Sequence, residues 1–178
     1  MISNITNTIK NEELQKKNIE AFDIGPGNCL IDEWIRKNTS KRFDEEGTIG
    51  KTGSINQIVL NQTIENFNFI SYKKSLDIKD FDISFARGLS LEDGCATITN
   101  FTAYLISEGI KFSKNRNDYT SSNYLVCGGG RKNIYLVDSI KKYLDNFDNI
   151  NIELIDHFNY DGDFIESQAF GYLAIRSF

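Results

Sequence analysis

The chain has 178 residues, 40% of them hydrophobic, and 25 acidic against 20 basic side chains leave a net charge of −5. That is enough for one folded domain, and the acidic balance, with lysines only in isolated pairs such as Lys16-Lys17, Lys73-Lys74 and Lys141-Lys142, argues against a nucleic-acid grip. The longest apolar runs fall short of the ~20 residues a membrane helix needs and the start lacks a signal-peptide core, so no membrane partner and a cytoplasmic location are expected.

In chain order, residues 7 to 18 are polar and predict a turn between a strand ending near Thr8 and one running from Ile19 to Phe22. The second strand meets Gly25-Pro26-Gly27, which holds the only proline. Leu30, Ile31, Trp34 and Ile35 then recur at helical spacing. A Gly-Pro-Gly turn stops helix from running through the junction, lets main chain pass close to a ligand and frees N–H groups at the next helix start. Asp23 falls at the carboxyl end of the strand, the edge where open α/β sheets bind ligands. A plain strand-to-helix turn with a capping residue accounts for the motif about as well.

Asp44-Glu45-Glu46 reads as an exposed loop, Gly47, Gly50 and Gly53 punctuate its continuation, and Ile55, Ile58, Val59, Gln62 and Ile64 suggest a helix. Tyr72 to Asp82 reads as polar loop. Ser90 with Asp93 is a capping pair for a helix to about Ser107, and Lys114 to Ser122 is the best flexible-loop candidate. Tyr124 to Cys127 is an apolar strand running into Gly128-Gly129-Gly130, followed by a helix with Leu136, Val137, Ile140, Tyr143 and Leu144 on one face. Three glycines clear every side chain from this turn, which suits a base, a ribose or a phosphate pressed on main chain, but tight packing of helix on strand would also explain them. The turn is neither a Walker-type loop nor a dinucleotide fingerprint. Ile152 to Ile155 reads as a last strand. Asp161-Gly162-Asp163 caps a final helix with an apolar stripe of Ile165, Ala169, Tyr172 and Leu173, and Glu166 lies between stripe positions. This alternation predicts an α/β fold with a partly parallel sheet.

Cys29, Cys95 and Cys127 are odd in number and far apart, which fits reduced, packed thiols. His157 is the single histidine, so a triad or a histidine-cluster metal site has no motif support, and the carboxylates at Asp44–Glu46 and Asp161/Asp163 read as loop and cap rather than metal ligands.

Taken together, Phe22-Asp23-Ile24-Gly25-Pro26-Gly27-Asn28 and the helix after it resemble the aspartate-x-glycine-proline-glycine-asparagine signature of anhydro-N-acetylmuramic acid kinases. Lys74-Ser75, Leu91 to Thr97, Val126-Cys127-Gly128-Gly129-Gly130-Arg131-Lys132-Asn133 and Asp161 to Ala174 resemble further motifs of that family in the same order. Ile2-Ser3-Asn4 resembles the tail of another, without its preceding glycines.

The resemblance implies one lobe of an actin-like ATPase and sugar-kinase (ribonuclease H-like) fold over residues 1–178, a mixed, partly parallel sheet with helices. It implies an enzyme that uses ATP and Mg2+ to open the 1,6-anhydro ring of its amino-sugar substrate with water and to phosphorylate the sugar. It places Gly128, Gly129 and Gly130 on the nucleotide side, Asp23, Gly25 and Gly27 toward phosphate, and Asn28 and Glu166 near the sugar. The family's first half, with its catalytic base and first phosphate motif, has no counterpart here, so no catalytic residue or metal ligand is expected in these residues. A missing N-terminal lobe or a homodimer mate is the expected partner. A non-catalytic remnant or binding module is the alternative.

Overall fold

The computed structural model describes residues 22–67, 80–117 and 122–176. The expected turn at 7–18, the strand before Phe22, Ile2-Ser3-Asn4 and Lys74-Ser75 lie outside them. The described fold is mostly helical, with one two-stranded sheet.

Its centre is α4, Leu91–Asn117. Cys95, Ala96, Ile98, Phe101, Ala103, Leu105, Ile106 and Ile110 are all buried along it. Helix α1, Cys29–Asn38, buries Leu30, Ile31, Trp34 and Ile35 as its spacing requires, and runs antiparallel to α4. Ile24 faces Gly109, Gly25 faces Leu105 and Trp34 faces Gly94, so the register is fixed from end to end. The Trp34 indole N–H donates to the Leu91 carbonyl at 2.9 Å. A Cβ at Gly94 or Gly109 would collide with Trp34 or Ile24, so both glycines serve close helix contact.

Helix α4 also runs ten residues past the expected end at Ser107, taking in Lys114–Asn117, which sequence alone reads as loop. Buried Ile110 and Ser113 continue the packed face, and the Tyr124 hydroxyl donates to the Ile110 carbonyl at 3.2 Å. At its start, Ser90 Oγ accepts from the Asp93 N–H at 3.0 Å as a cap should. The Asp93 carboxylate does not simply complete a capping box: it accepts from the Ser54 N–H at 2.7 Å and ties the preceding segment to α4.

The segment between α1 and α3 is a correction. Gly47 and Gly50 do not mark a loop but lie in a 3-10 turn, Glu45–Gly47, and in helix α2, Thr48–Thr52. Glu45 and Glu46 are exposed as expected, but Asp44 is buried, its carboxylate accepting from the N–H groups of Ile49 (2.8 Å) and Gly50 (2.9 Å) and from the Cys95 thiol (3.4 Å). It therefore satisfies donors that open α2. A Cβ at Gly47 would run into Asn133 and Tyr135, and one at Gly53 into the Glu92 main chain. Helix α3, Gln57–Asn66, follows, with Asn56 Oδ1 accepting from the Val59 N–H at 3.1 Å and Leu60 buried.

The alternating half of the chain has the expected order, but its strands start and end earlier than the apolar runs suggest, leaving Cys127 and Ile155 outside them. Strand β1 (Ser122–Val126), helix α5 (Ile134–Leu144) and strand β2 (Ile150–Leu154) form a unit in which β1 and β2 pair in parallel, Ser122 opposite Ile150 and Val126 opposite Leu154. Parallel neighbours need such a crossover. Helix α5 buries Leu136, Val137, Ile140 and Leu144 and is tied to α4, Asn100 Nδ2 donating to the Tyr135 hydroxyl at 3.0 Å. Helix α6, Ile165–Arg176, ends the description, and its expected core stripe is not buried: Ala169, Tyr172 and Leu173 face solvent and Ile165 is half-buried.

Asp44→Ala leaves two main-chain donors of α2 and the Cys95 thiol without their acceptor. Bonds to a charged group contribute about 1.5–3 kcal/mol each and an orphaned buried donor costs about as much, so a loss of about 3 kcal/mol in urea unfolding is expected, with Glu45→Ala close to wild type.

Candidate functional site

Two glycine turns stand against the same core. In the first, Gly27 takes φ +57, the Cys29 N–H reaches the Pro26 carbonyl at 3.1 Å, and α1 starts at once. Phe22–Pro26 leads into it as extended chain that pairs with neither β1 nor β2. Gly25 is needed for closeness, since a Cβ there would come within 3.3 Å of Leu105 Cβ, whereas Gly27 faces open space. Asp23 is half-buried. Asn28 stands at the N-cap of α1 but makes no capping bond, and its Oδ1 is buried with no hydrogen-bond partner among the described residues. An unsatisfied buried acceptor costs about 1–3 kcal/mol, so this atom is poised for a donor from outside the described residues.

The second turn joins β1 to α5. Gly128 takes φ +74 with ψ −174, a conformation reserved for glycine. Gly129–Lys132 then forms a 3-10 turn, and Asn133 Oδ1 caps α5 by accepting from the Leu136 N–H at 3.0 Å. A Cβ built at Gly128, Gly129 or Gly130 meets nothing within 4 Å, so the turn presents bare main chain to open space. That is the surface a flat ring or a phosphate would need. Of the three, only Gly128 needs glycine for its backbone angle.

Behind this open face the turn is held firmly. The Gly128 N–H donates to the Gly162 carbonyl at 2.8 Å, joining the turn to the segment that opens α6. Arg131, 7% exposed, donates from Nη1 to the Gly128 carbonyl at 3.0 Å and to Asp163 Oδ1 at 2.7 Å, and from Nε and Nη2 to the two oxygens of Asp156 at 2.7 and 3.2 Å. Lys132 adds a second bond to Asp163 at 2.7 Å. Hydrogen bonds from Arg131 and then Lys132 hold the Asp163 carboxyl down at about 2, and a bond from Arg131 lowers Asp156. The Asp161 carboxylate does not cap α6 as expected: its Oδ1 accepts from the Asp163 N–H at 2.9 Å, a local turn ahead of the helix, and Asp163 belongs to the arginine. Sequence reasoning passed over Arg131 except as a motif letter, because its partners lie 25 and 32 residues away.

The candidate residues fall into two groups. Gly128, Gly129, Gly130 and the start of α6 with Glu166 are tied together by the Gly128–Gly162 bond, and Glu166 is exposed. Asp23, Gly25, Gly27 and Asn28 sit at the start of α1, set by Leu105 of α4, whereas Tyr135 in the first turn of α5 is set by Asn100. Among the described residues no group of three or more His, Cys, Asp or Glu side chains is placed to hold a metal ion, and the Asp156 and Asp163 carboxylates are occupied by Arg131. Cys29, Cys95 and Cys127 are free, and burial, reinforced by the Asp44 charge, pushes the Cys95 thiol up and keeps it protonated.

The family model for anhydro-N-acetylmuramic acid kinase matches residues 1–178, and the chain belongs to that family. It is 50% identical over 179 residues to the anhydro-N-acetylmuramic acid kinase of Pelagibacter ubique (strain HTCC1062), covering 99% of this chain and 46% of that protein. The kinases of Zymomonas mobilis subsp. mobilis (34% identical) and Rhizorhabdus wittichii (36% identical) each match over 88% of this chain and 41% of their own length. The chain thus spans less than half the length of these curated relatives. No helix among the described residues is long and apolar enough to cross a membrane.

The Arg131 cluster makes a titration prediction. A carboxyl whose folded pKa lies below its ordinary value of 3.8 contributes stability that is fully present above 3.8 and is lost as pH falls through about 2. Carboxyl carbon NMR of the wild type should show Asp163 titrating near 2, and Arg131→Met should return it toward 3.8 and flatten the acid limb of the stability curve. An Asp163 signal titrating at its ordinary value in the wild type would contradict the arrangement.

Proposed function

We propose that this chain is one lobe of an actin-like, ATP-dependent sugar kinase acting on anhydro-N-acetylmuramic acid in the cytoplasm, and that it contributes one wall of a cleft rather than a complete active site. The family match along all 178 residues carries the reading. The open glycine turn after β1 and the unpartnered Asn28 Oδ1 support it.

ATP with Mg2+ supplies the phosphoryl group in this chemistry. Gly128, Gly129 and Gly130 fit a nucleotide pressed on bare main chain, and the Arg131 cluster keeps that surface from yielding as it is loaded. Gly27 leaves the start of α1 open, where N–H groups and the helix dipole favour an anion, with Asp23 and Gly25 in the segment before it. Asn28 offers a buried acceptor for a sugar hydroxyl or amide, and the exposed Glu166 lies in the first turn of α6, four residues after the Gly162 that bonds Gly128. For magnesium the described residues offer no ligand set, so no step is assigned to one of their carboxylates. A base for the attacking water and a second wall for the nucleotide belong to the part of the relatives outside this chain. Removing such preorganised groups typically costs on the order of 10²-fold or more each.

Two outcomes follow. The chain alone binds ATP weakly and yields no sugar 6-phosphate at a useful rate when incubated with magnesium-ATP and the anhydro sugar, because small-molecule sites usually bury about 70% or more of their ligand. Adding the remaining half of a relative should restore part of the turnover. Activity of the chain alone near that of a full-length relative would overturn the one-wall reading, and no activity in either preparation would favour a non-catalytic remnant.

In a chain completed in this way, Gly129→Val should keep its circular dichroism and melting temperature but lose at least about tenfold in ATP affinity by calorimetry, since Gly129 carries no positive φ and its side faces open space. Gly128→Val differs: φ +74 should make it unstable by about 1–3 kcal/mol. A folded Gly129→Val protein with normal ATP affinity removes the nucleotide from this turn.

A further inference from the structure

Arg131 directs its hydrogen bonds to the protein alone. Nε and Nη2 donate to the two oxygens of Asp156, Nη1 donates to the Gly128 carbonyl and to Asp163 Oδ1, and Asp161 Oδ1 stands 3.9 Å from Nη2. A guanidinium engaged in this way and almost fully buried has no donor left for a phosphate. Any effect of Arg131 on a ligand therefore passes through what it holds. On one side that is Gly128, whose turn presents bare main chain to open space. On the other it is Asp163, three residues before Glu166 in the first turn of α6. The connection between the two has no slack. The Gly162 main chain lies against the guanidinium, where a Cβ would come within 2.3 Å of Nε, and its carbonyl accepts from the Gly128 N–H at 2.8 Å. Beyond it the Phe164 N–H reaches the Asp161 carbonyl at 3.1 Å and the Gln168 N–H reaches the Phe164 carbonyl at 2.9 Å, so the path from the glycine turn into α6 is hydrogen-bonded along its length.

We propose that Arg131 is a positioning residue for both ligands of the cleft: by bonding Gly128 and Asp163 together it sets the distance from the nucleotide-facing turn to Glu166 on the sugar side. This rests on the kinase reading above. Phosphoryl transfer depends on the placement of donor and acceptor, and a displacement of about 1 Å can cost on the order of 10²-fold. Core packing cannot supply that placement here. Gly128, Gly129 and Gly130 have no side chains to pack, and no α6 residue joins the described hydrophobic core. The planar fork of an arginine can bond Asp156, Asp163 and a carbonyl at once, which the single ammonium of a lysine cannot match.

Two variants test the link. Asp163→Ala cuts the joint to α6 but leaves Arg131 on Asp156 and Gly128, and because Asp163 is itself exposed the lobe stays folded. In the chain completed with the remaining half of a relative, Asp163→Ala should raise KM for the anhydro sugar by at least about tenfold while changing KM for ATP by less than about threefold, whereas Arg131→Met should raise both. If the sugar effect passes through Glu166, adding Asp163→Ala to Glu166→Gln should raise KM for the sugar no further than Glu166→Gln alone. In the 178-residue chain, Arg131→Met should speed amide hydrogen exchange at 128–130 and at 162–168 together and leave 134–144 unchanged. Equal effects of Asp163→Ala on the two KM values, sugar effects that multiply in the double variant, or exchange that rises at only one of the two segments would overturn the proposal. Paired loosening of both segments in a completed chain that phosphorylates no sugar would uphold the link and remove the kinase reading.

Discussion

The burial of α4 is the constraint on which the remaining elements depend. Helices α1, α2, α3 and α5 all pack against it, so a helix of 27 residues has no wide solvent face along its middle. Such a helix carries no charge there, and three of its buried or half-buried polar side chains bond back to their own turn, Thr97 to the Asp93 carbonyl, Ser107 to that of Ala103 and Asn100 to that of Ala96, while the hydroxyls of Thr99 and Thr102 are buried without a hydrogen-bond partner among the described residues. Gly94 and Gly109 let Trp34 and Ile24 approach the helix axis, which sets the register of α1 and hence the height of the turn at Gly25–Asn28. The position of one candidate ligand surface therefore follows from two glycines on a different element.

The other surface is fixed by charge. Arg131 is buried while the carboxylates that surround it are largely exposed, so the guanidinium loses water but keeps its hydrogen bonds in full supply. Its planar fork suits this work: it spans Asp156 with two donors and still reaches Asp163 and the Gly128 carbonyl. The Gly162 main chain packs against the guanidinium, where a side chain would not fit. A glycine turn is floppy by itself, and here the entropy of three glycines is opposed by one residue immediately after them.

What could be read in the sequence was local. The α1 stripe, the β1–glycine–α5 unit and β2 announce themselves through periodicity and turn chemistry within a dozen residues, and they are where the spacing places them. Glycines 47 and 50 misled, because a glycine demanded by a neighbour far along the chain looks the same as one that breaks a helix, whereas Gly53 does end α2. The end of α4 was hidden likewise: Lys114 and its polar neighbours look like loop until Ile110 and Ser113 are seen to be covered. Asp44 and Arg131 were invisible for different reasons. The carboxylates that hold Arg131, Asp156 and Asp163, are distant in sequence, whereas Asp44 bonds the nearby Ile49 and Gly50 N–H groups but sits beside two glutamates and carries no mark of being the buried one.

The final helix shows the opposite failure. Its apolar stripe was legible, but the inference from stripe to core was not safe, because periodicity reports that a face must be covered and not by what. No α6 residue belongs to the described hydrophobic core. The described core is thus complete without α6, while the bonds of Arg131 to Asp163 and of Gly128 to Gly162 keep the segment that opens the helix attached to the glycine turn. A stripe read from spacing therefore fixes where a helix lies in the sequence but not which element covers it.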